Sequence, residues 1–258
     1  MMSDREAGIT FRIDAGTAGV VLDRPPVNAL DEAMIERFHE ILDEIGARAD
    51  VSVLHIASAH GTFSAGADLQ LIQTGLQTSE GRDRLIDIVR ELQRVFSRIE
   101  RLGAVSIAEL RGAAVGGGLE LALACDLRVA STRAKLGLPE ASLGLLPAGG
   151  GTQRLSRICG DAAARRLIFG GEIVDGAEAH RLGLVHWALA PEEVSPWTTD
   201  LVARLASMPV DALAASKRCI AAASDGAIDG YELELTETRR LHDVAETQER
   251  IQAFLREA

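Results

Sequence analysis

Glu120 and Glu140 each stand close to a run of glycines: Gly116-Gly117-Gly118 comes just before the first, and Gly149-Gly150-Gly151 follows the second. A glycine run after a strand lets backbone N–H groups approach a ligand without side-chain obstruction. At a helix start the dipole also favours negative charge there. Donors of this kind suit an oxyanion hole, in which N–H contacts of about 3 Å hold a developing enolate or alkoxide. Two carboxylates tied to such turns supply what water addition needs, one to activate water and one to deliver a proton. Each feature alone has a plainer reading. A glycine cluster can serve close packing, a glutamate at a helix start is favourable dipole placement, and Glu140 alone could be a surface residue. It is the combination that points to chemistry.

Other chemistries fit less well. A dinucleotide fingerprint needs a glycine three residues beyond each cluster, where Leu121 and Arg154 stand, and neither cluster continues into the Gly-Lys-Ser/Thr of a phosphate loop. His39-Glu40 opens a zinc-binding pattern, but Asp43 takes the place of its second histidine. Ser64, in Thr62-Phe63-Ser64-Ala65-Gly66, is one glycine short of a nucleophile elbow. The six histidines form no ligand cluster in sequence, and a metal site is not expected. Cys125, Cys159 and Cys219 show neither pairing nor metal-ligand spacing, which suits a reducing compartment. A formal charge of −11 and 3% aromatic residues argue against nucleic acid and anionic membrane as partners. Met1–Gly8 is polar, and no apolar stretch reaches the roughly 20 residues of a membrane span, so a cytoplasmic location is expected.

Short strands and helices must position these groups. Ile9–Ile13 and Gly19–Leu22 read as strands before a turn at Arg24-Pro25-Pro26, and Asp31 offers a cap to a helix carrying Met34, Ile35, Phe38, Ile41, Leu42 and Ile45. Val51–Ala57 is a nearly continuous apolar strand, as expected for burial on both faces. A loop runs from Ser58 to Asp68, and a long helix is marked by Leu85, Ile88, Val89, Leu92, Val95, Phe96 and Ile99. Strands at Val105–Leu110 and Leu127–Ala130 flank a turn and short helix at Gly116–Ala124. The pattern is strand, strand, helix, repeated with drift. From about Pro191 onward it is helical, with Leu201, Leu205, Leu213, Ile220, Leu233, Leu241, Ile251 and Phe254 on the apolar faces. The reading is an α/β core over residues 1–190 and a helical segment over 191–258, whose apolar faces should cover the core or a neighbouring subunit.

Three motifs together resemble the crotonase (enoyl-CoA hydratase/isomerase) family. They are Phe63-Ser64-Ala65-Gly66-Ala67-Asp68-Leu69, the stretch from Gly112 through Gly116-Gly117-Gly118-Leu119-Glu120 to Asp126, and Leu138-Pro139-Glu140 through Pro147-Ala148-Gly149-Gly150-Gly151-Thr152-Gln153-Arg154-Leu155. The likeness is collinear from about residue 9 to 190 and weaker beyond. It implies a core of repeated ββα units and C-terminal helices that assemble a homotrimer or a dimer of trimers. It also implies an acyl-CoA substrate with no cofactor beyond the coenzyme A that the substrate carries. By resemblance, the N–H groups of Ala67 and Gly117 form the oxyanion hole, Glu120 deprotonates water, and Glu140 protonates the α-carbon. Coenzyme A is expected near Arg24, Val27, Ala65, Ala67, Asp68, Leu69, Gln70 and Gly117.

Retention of both carboxylates favours a hydratase over an isomerase, a hydrolase or a non-catalytic acyl-CoA- or RNA-binding paralogue. Departures from the family pattern bear on the substrate. Ala148 replaces a glycine found beside the catalytic water in many hydratases, Gln70 and Gln248 stand where some relatives have lysines, and Glu249-Arg250 replaces the usual Glu-Gly.

Overall fold

The computed structural model describes residues 4–257, so the first three residues of the polar stretch Met1–Gly8 lie outside the description. Strands β1 (Asp4–Glu6), β2 (Ile9–Asp14) and β3 (Thr17–Leu22) form an antiparallel meander. Ala18, Val20 and Leu22 of β3 alternate inward, as a strand with one buried face requires. Beyond β3 the sheet becomes parallel through β4 (Val53–Ser58), β5 (Val105–Leu110), β7 (Leu127–Ser131) and β10 (Trp187–Leu189), in the order β1-β2-β3-β4-β5-β7-β10. The central strand β4 is buried nearly throughout, in line with its unbroken apolar run. A second sheet contains β6 (Ala114–Val115), β8 (Lys135–Gly137) and β9 (Ile173–Asp175), in the order β6-β8-β9.

Helix α1 (Glu32–Gly46) starts where expected: the Asp31 carboxylate accepts the Met34 N–H at 2.9 Å, and all six marked apolar residues are buried. A short helix α2 (Leu69–Gly75) follows the 58–68 loop and is capped by Asp68. The long helix α3 (Ser79–Arg101) buries Ile88, Leu92, Val95, Phe96 and Ile99. Helix α4 (Gly117–Ala124) follows β6; α5 (Gly151–Phe169) and α6 (Gly176–Arg181) follow β8 and β9.

The repeated unit explains how the glutamates meet. In two successive units, β5-β6-α4 and β7-β8-α5, the first strand joins the large sheet and the second joins the small one. Because β6 and β8 pair in parallel, with Ala114 opposite Leu136 and Val115 opposite Gly137, the chain leaves both strands at the same edge. The Gly116 N–H donates to the Gly137 carbonyl at 3.0 Å, and the glutamate-bearing segments begin from that bond.

No strand follows Leu189 among the described residues. Helix α7 (Val194–Ala206) packs Val194 and Leu201 onto Val53, Ile107 and Val129 of the large sheet, so it closes a second core on that face. Helix α8 (Val210–Ala222) is tied down by Lys217, whose ammonium donates to Asp126 Oδ2 at 2.7 Å and to the carbonyls of Ile99 and Ala104 at 3.1 and 3.0 Å. Helices α9 (Gly230–His242) and α10 (Ala245–Glu257) leave Tyr231, Leu235, Ile251, Phe254 and Leu255 exposed. Of the apolar positions marked in this segment, only Leu201 is fully buried within the chain. Lys217→Met should therefore lower stability by about 2 kcal/mol, because it strands a carboxylate and two carbonyls, as read from the midpoint of urea unfolding.

Candidate active site

Helix α4 is apolar all round except for Glu120, and every residue from Gly117 to Ala124 is buried. Such a helix belongs to the interior, so the carboxylate on its first turn must find partners there. It finds the second glycine cluster. The Gly151 N–H, at the start of α5, donates to Glu120 Oε1 at 2.7 Å. A Cβ at position 149 would lie 2.7 Å from Glu120 Oε2, and one at position 151 would lie 2.9 Å from Oε1. The carboxylate therefore fills the space that glycines leave. Glu140 opens a short 3-10 turn, Glu140–Leu143, and its Oε1 lies 3.2 Å from where a Cβ of Gly116 would be. Its Oε2 is buried and has no partner among the described residues.

The expected oxyanion donors come together. A Cβ on Gly117 would lie 3.4 Å from the Ala67 nitrogen, and one on Gly66 would lie 2.6 Å from the Gly117 nitrogen. Among the described residues neither N–H, of Ala67 or of Gly117, donates a hydrogen bond. Gly66 has φ +86, a conformation open to glycine and strained for most residues. Two N–H donors left free at a helix start, with two carboxylates nearby, form a site able to stabilise an oxyanion while moving protons.

The remaining expected binding residues fall in the 24–31 and 65–70 segments. Arg24, Asp68 and Gln70 border one open cavity of about 550 Å³, together with Asp31, Glu32 and Leu71. The Arg24 guanidinium is already engaged there, with Asp31 and Asp68 at 3.0 Å each and the Ala29 carbonyl at 3.0 Å. Three of the Arg24 N–H groups thus brace the loop. Leu69 and Gln70 are exposed. Val27 and Ala65 meet through their backbones, the Ala65 N–H donating to the Val27 carbonyl at 2.9 Å. A larger cavity of about 820 Å³ lies beneath α8, lined by Cys125, Asp126, Lys217 and Ile220 among others, and includes neither glutamate.

A network of buried hydrogen bonds around Asn28 and Ser64 holds the loop in place. Buried Asn28 donates to Ser58 Oγ at 2.8 Å and to the carbonyls of Phe63 and Thr62 at 2.9 and 3.1 Å, while its Oδ1 accepts the Arg24 N–H. Ser64, weighed as a nucleophile, is fully buried: it donates to the Asn28 carbonyl at 2.7 Å and accepts the Gly66 N–H at 3.1 Å. It is a bolt in the loop. An asparagine after a Pro-Pro turn, followed by a serine in a Gly-rich loop, was the only signal for this network. No group of three or more metal-ligating side chains occurs among the described residues.

Burial pushes the Glu120 carboxyl up to about 7. The negative Glu140 adds to the rise, while the N–H groups of Gly151 and Gly149 and the Arg154 charge oppose it. Burial raises the Glu140 carboxyl too. The pair therefore holds a proton at a pH where ordinary glutamates hold none. A folded-state value above the unfolded one contributes stability below the unfolded value, and that contribution is lost as pH rises through about 7. Glu120→Gln should accordingly gain stability over the native protein by on the order of 3 kcal/mol at pH 8. The gap should close toward pH 4.5, the ordinary value, and melting curves at the two pH values measure it. Gly66→Ala should lower activity by about 100-fold or more, the loss typical of one oxyanion donor, because its methyl collides with the Gly117 nitrogen.

The arrangement has many counterparts. The chain matches the enoyl-CoA hydratase/isomerase family over residues 12–257. A Bacillus subtilis protein named "Probable enoyl-CoA hydratase" is 36% identical over 249 residues, covering 96% of this chain and 95% of its own. The human mitochondrial enoyl-CoA hydratase domain-containing protein 2 is 43% identical over 182 residues, 70% of this chain and 61% of its own. Among solved structures, an enoyl-CoA hydratase from Bacillus anthracis superposes with a TM-score of 0.88 at 30% identity, over 97% of this chain and 96% of that one. Pseudomonas aeruginosa DspI superposes at 0.89 with 32% identity, over 98% and 96%. With fold, loops and sequence in agreement along nearly its whole length, the chain belongs to the crotonase, or enoyl-CoA hydratase/isomerase, family.

Proposed function

We propose that the protein is an enoyl-CoA hydratase, a hydro-lyase that adds water across the double bond of a 2-enoyl-CoA thioester to give a 3-hydroxyacyl-CoA. The observation that carries this reading is the pair of perturbed carboxylates, Glu120 and Glu140, gathered beside the unused N–H groups of Ala67 and Gly117. The thioester oxygen accepts from those two N–H groups. Glu120, ionised, takes a proton from water as the water oxygen bonds to the β-carbon. Charge moves through the α-carbon onto the thioester oxygen, where the donors hold it more tightly in the transition state than in the ground state. Glu140, protonated, gives its proton to the α-carbon. One proton has then passed from water to Glu120 and one from Glu140 to product; return of a proton from Glu120 to Glu140 restores the enzyme, and the net change is addition of one water.

The reaction so written uses no cofactor beyond the coenzyme A of the substrate. A homotrimer or dimer of trimers is consistent with the exposed apolar faces of α9 and α10. The net charge of −11 argues against nucleic acid and anionic membrane as partners without selecting a small ligand, and the unpaired cysteines support a cytoplasmic location.

Purified protein should abolish the conjugated absorbance of crotonyl-CoA, and oxygen from labelled water should appear in the product. Glu120→Gln and Glu140→Gln should each slow turnover by roughly 100-fold or more, the low end for general acid–base groups. Deuterium incorporation from heavy water without labelled oxygen would replace hydration by double-bond isomerisation. Near-native turnover in either variant would overturn the roles given to the glutamates.

A further inference from the structure

Arg154 occupies a costly position for an arginine. It lies in the first turn of α5, where the helix dipole disfavours a cation, and it is only 6% exposed, beside the fully buried Leu155. Its Nε is buried without a partner. An apolar residue would pack there at lower cost. What the side chain does instead is hold one turn: Nη1 donates to the Gly149 carbonyl at 2.8 Å, and Nη2 donates to Glu100 Oε2 at 2.6 Å. Glu100, at the end of α3, also binds Arg157 one turn further along α5. The guanidinium lies 5.9 Å over the Phe96 ring, and a Cβ at Gly150 would stand 2.3 Å from Nη1. The turn is also held from α3 by Gln93, whose Nε2 donates to the Ala148 carbonyl at 2.6 Å.

We propose that Arg154, braced by Glu100, is a positioning residue for the reaction: it fixes the Gly149–Gly151 turn whose Gly151 N–H holds Glu120, and places a buried cation behind that carboxylate. The proposal rests on the hydratase reading for its kinetic consequence. Its structural content is separate, since the clamp joins α3, the glycine turn and α4 through Arg154, Gly149, Gly151 and Glu120 in sequence. Charge acts in the same sense as geometry. The Arg154 cation and the Gly151 N–H favour the ionised Glu120 that burial opposes, and ionised Glu120 is the form that can take a proton from water.

The test titrates Glu120 directly, by carbon-13 NMR of protein labelled at the glutamate carboxyl carbons, with the resonance assigned by its loss in Glu120→Gln. In Arg154→Met the Glu120 midpoint should rise by about one unit. The acid limb of kcat/KM for crotonyl-CoA should follow it, with kcat at pH 7 down about fivefold as the ionised fraction falls from about one half to about one eleventh, and KM changed far less. Arg154→Lys should restore most of the midpoint and only part of kcat, because an ammonium supplies the charge without the fork that spans Gly149 and Glu100. Glu100→Gln should move the midpoint the opposite way, since it leaves the cation uncompensated. A native-like midpoint and acid limb in folded Arg154→Met would overturn the proposal. If that variant does not fold, an unmoved midpoint in Glu100→Gln together with native kcat in Arg154→Lys would overturn it equally. A midpoint that moves as expected in a protein that hydrates no enoyl-CoA would uphold the coupling to Glu120 and sink the hydratase reading alone.

Discussion

The first turn of α4 has to touch the backbone of the Ser64–Ala67 loop, and side chains leave no room for it. A Cβ at Gly118 would lie 2.2 Å from the Ser64 carbonyl oxygen, and one at Gly66 would lie 2.6 Å from the Gly117 nitrogen. These contacts are backbone against backbone, so no rotamer change relieves them. Once they are made, the Ala67 and Gly117 nitrogens are neighbours, and Glu120, three residues further along the helix, is driven into the interior. The Asn28 and Ser64 network then holds the loop from behind, linking residues 24–28 to 58–66 through buried hydrogen bonds. The proximity of the Ala67 and Gly117 nitrogens is thus a consequence of close packing at one crossing, and its geometry is as rigid as that packing.

That rigidity comes with a thermodynamic burden. Glu120 is 3% exposed and Arg154 6%, and each brings a charge-bearing group into the interior. Burying a carboxylate that must ionise works against stability at neutral pH, which a protein selected only for stability would avoid. The burden is carried by an extensive apolar core on one face of the large sheet, from Ile9 and Phe11 through Met34, Phe38, Phe96 and Leu119, and a second cluster under α7. The strands and long helices stabilise the fold, while the glycine turns between them hold the groups whose burial costs stability.

What the sequence made legible follows the same division. Where periodicity governs, in α1 and α3, the apolar positions marked from spacing are those that the structure buries or half-buries. β4 runs Val53–Ser58 against the expected Val51–Ala57, a shift set by pairing with β3 that periodicity does not encode. The strands of the small sheet, two or three residues each, are too short to show any pattern, so the pairing that brings Gly116 to Gly137 was hidden. Glu120 and Glu140 were readable because glycine clusters flank them. Asn28 and Arg154 were not, since their importance lies in partners 30 to 54 residues away. Arg24, expected as a substrate contact, also engages Asp31, Asp68 and Ala29, a loop-bracing position that spacing could not reveal. The exposed faces of α9 and α10 fit the expectation that this segment cannot bury its apolar residues alone.

The two glutamates are unequal in a way that bears on direction of proton flow. Burial alone would leave the shared proton on Glu120, the deeper of the two. Hydrogen bonding works the other way. Glu120 Oε1 accepts the Gly151 N–H, which favours the ionised form, whereas Glu140 Oε2 is buried with no donor to stabilise a charge. A protonated Glu140 would relieve that oxygen of its unpaired negative charge. In the open site burial outweighs the Gly151 N–H and holds the Glu120 carboxyl up to about 7; a ligand that covers Glu140 acts on the other residue, since removing water from that half-exposed carboxyl raises its proton affinity, while Glu120, already enclosed, has little left to lose. Under the hydratase reading proposed above, an acyl chain settling over Glu140 would thereby favour the proton on Glu140 and the charge on Glu120.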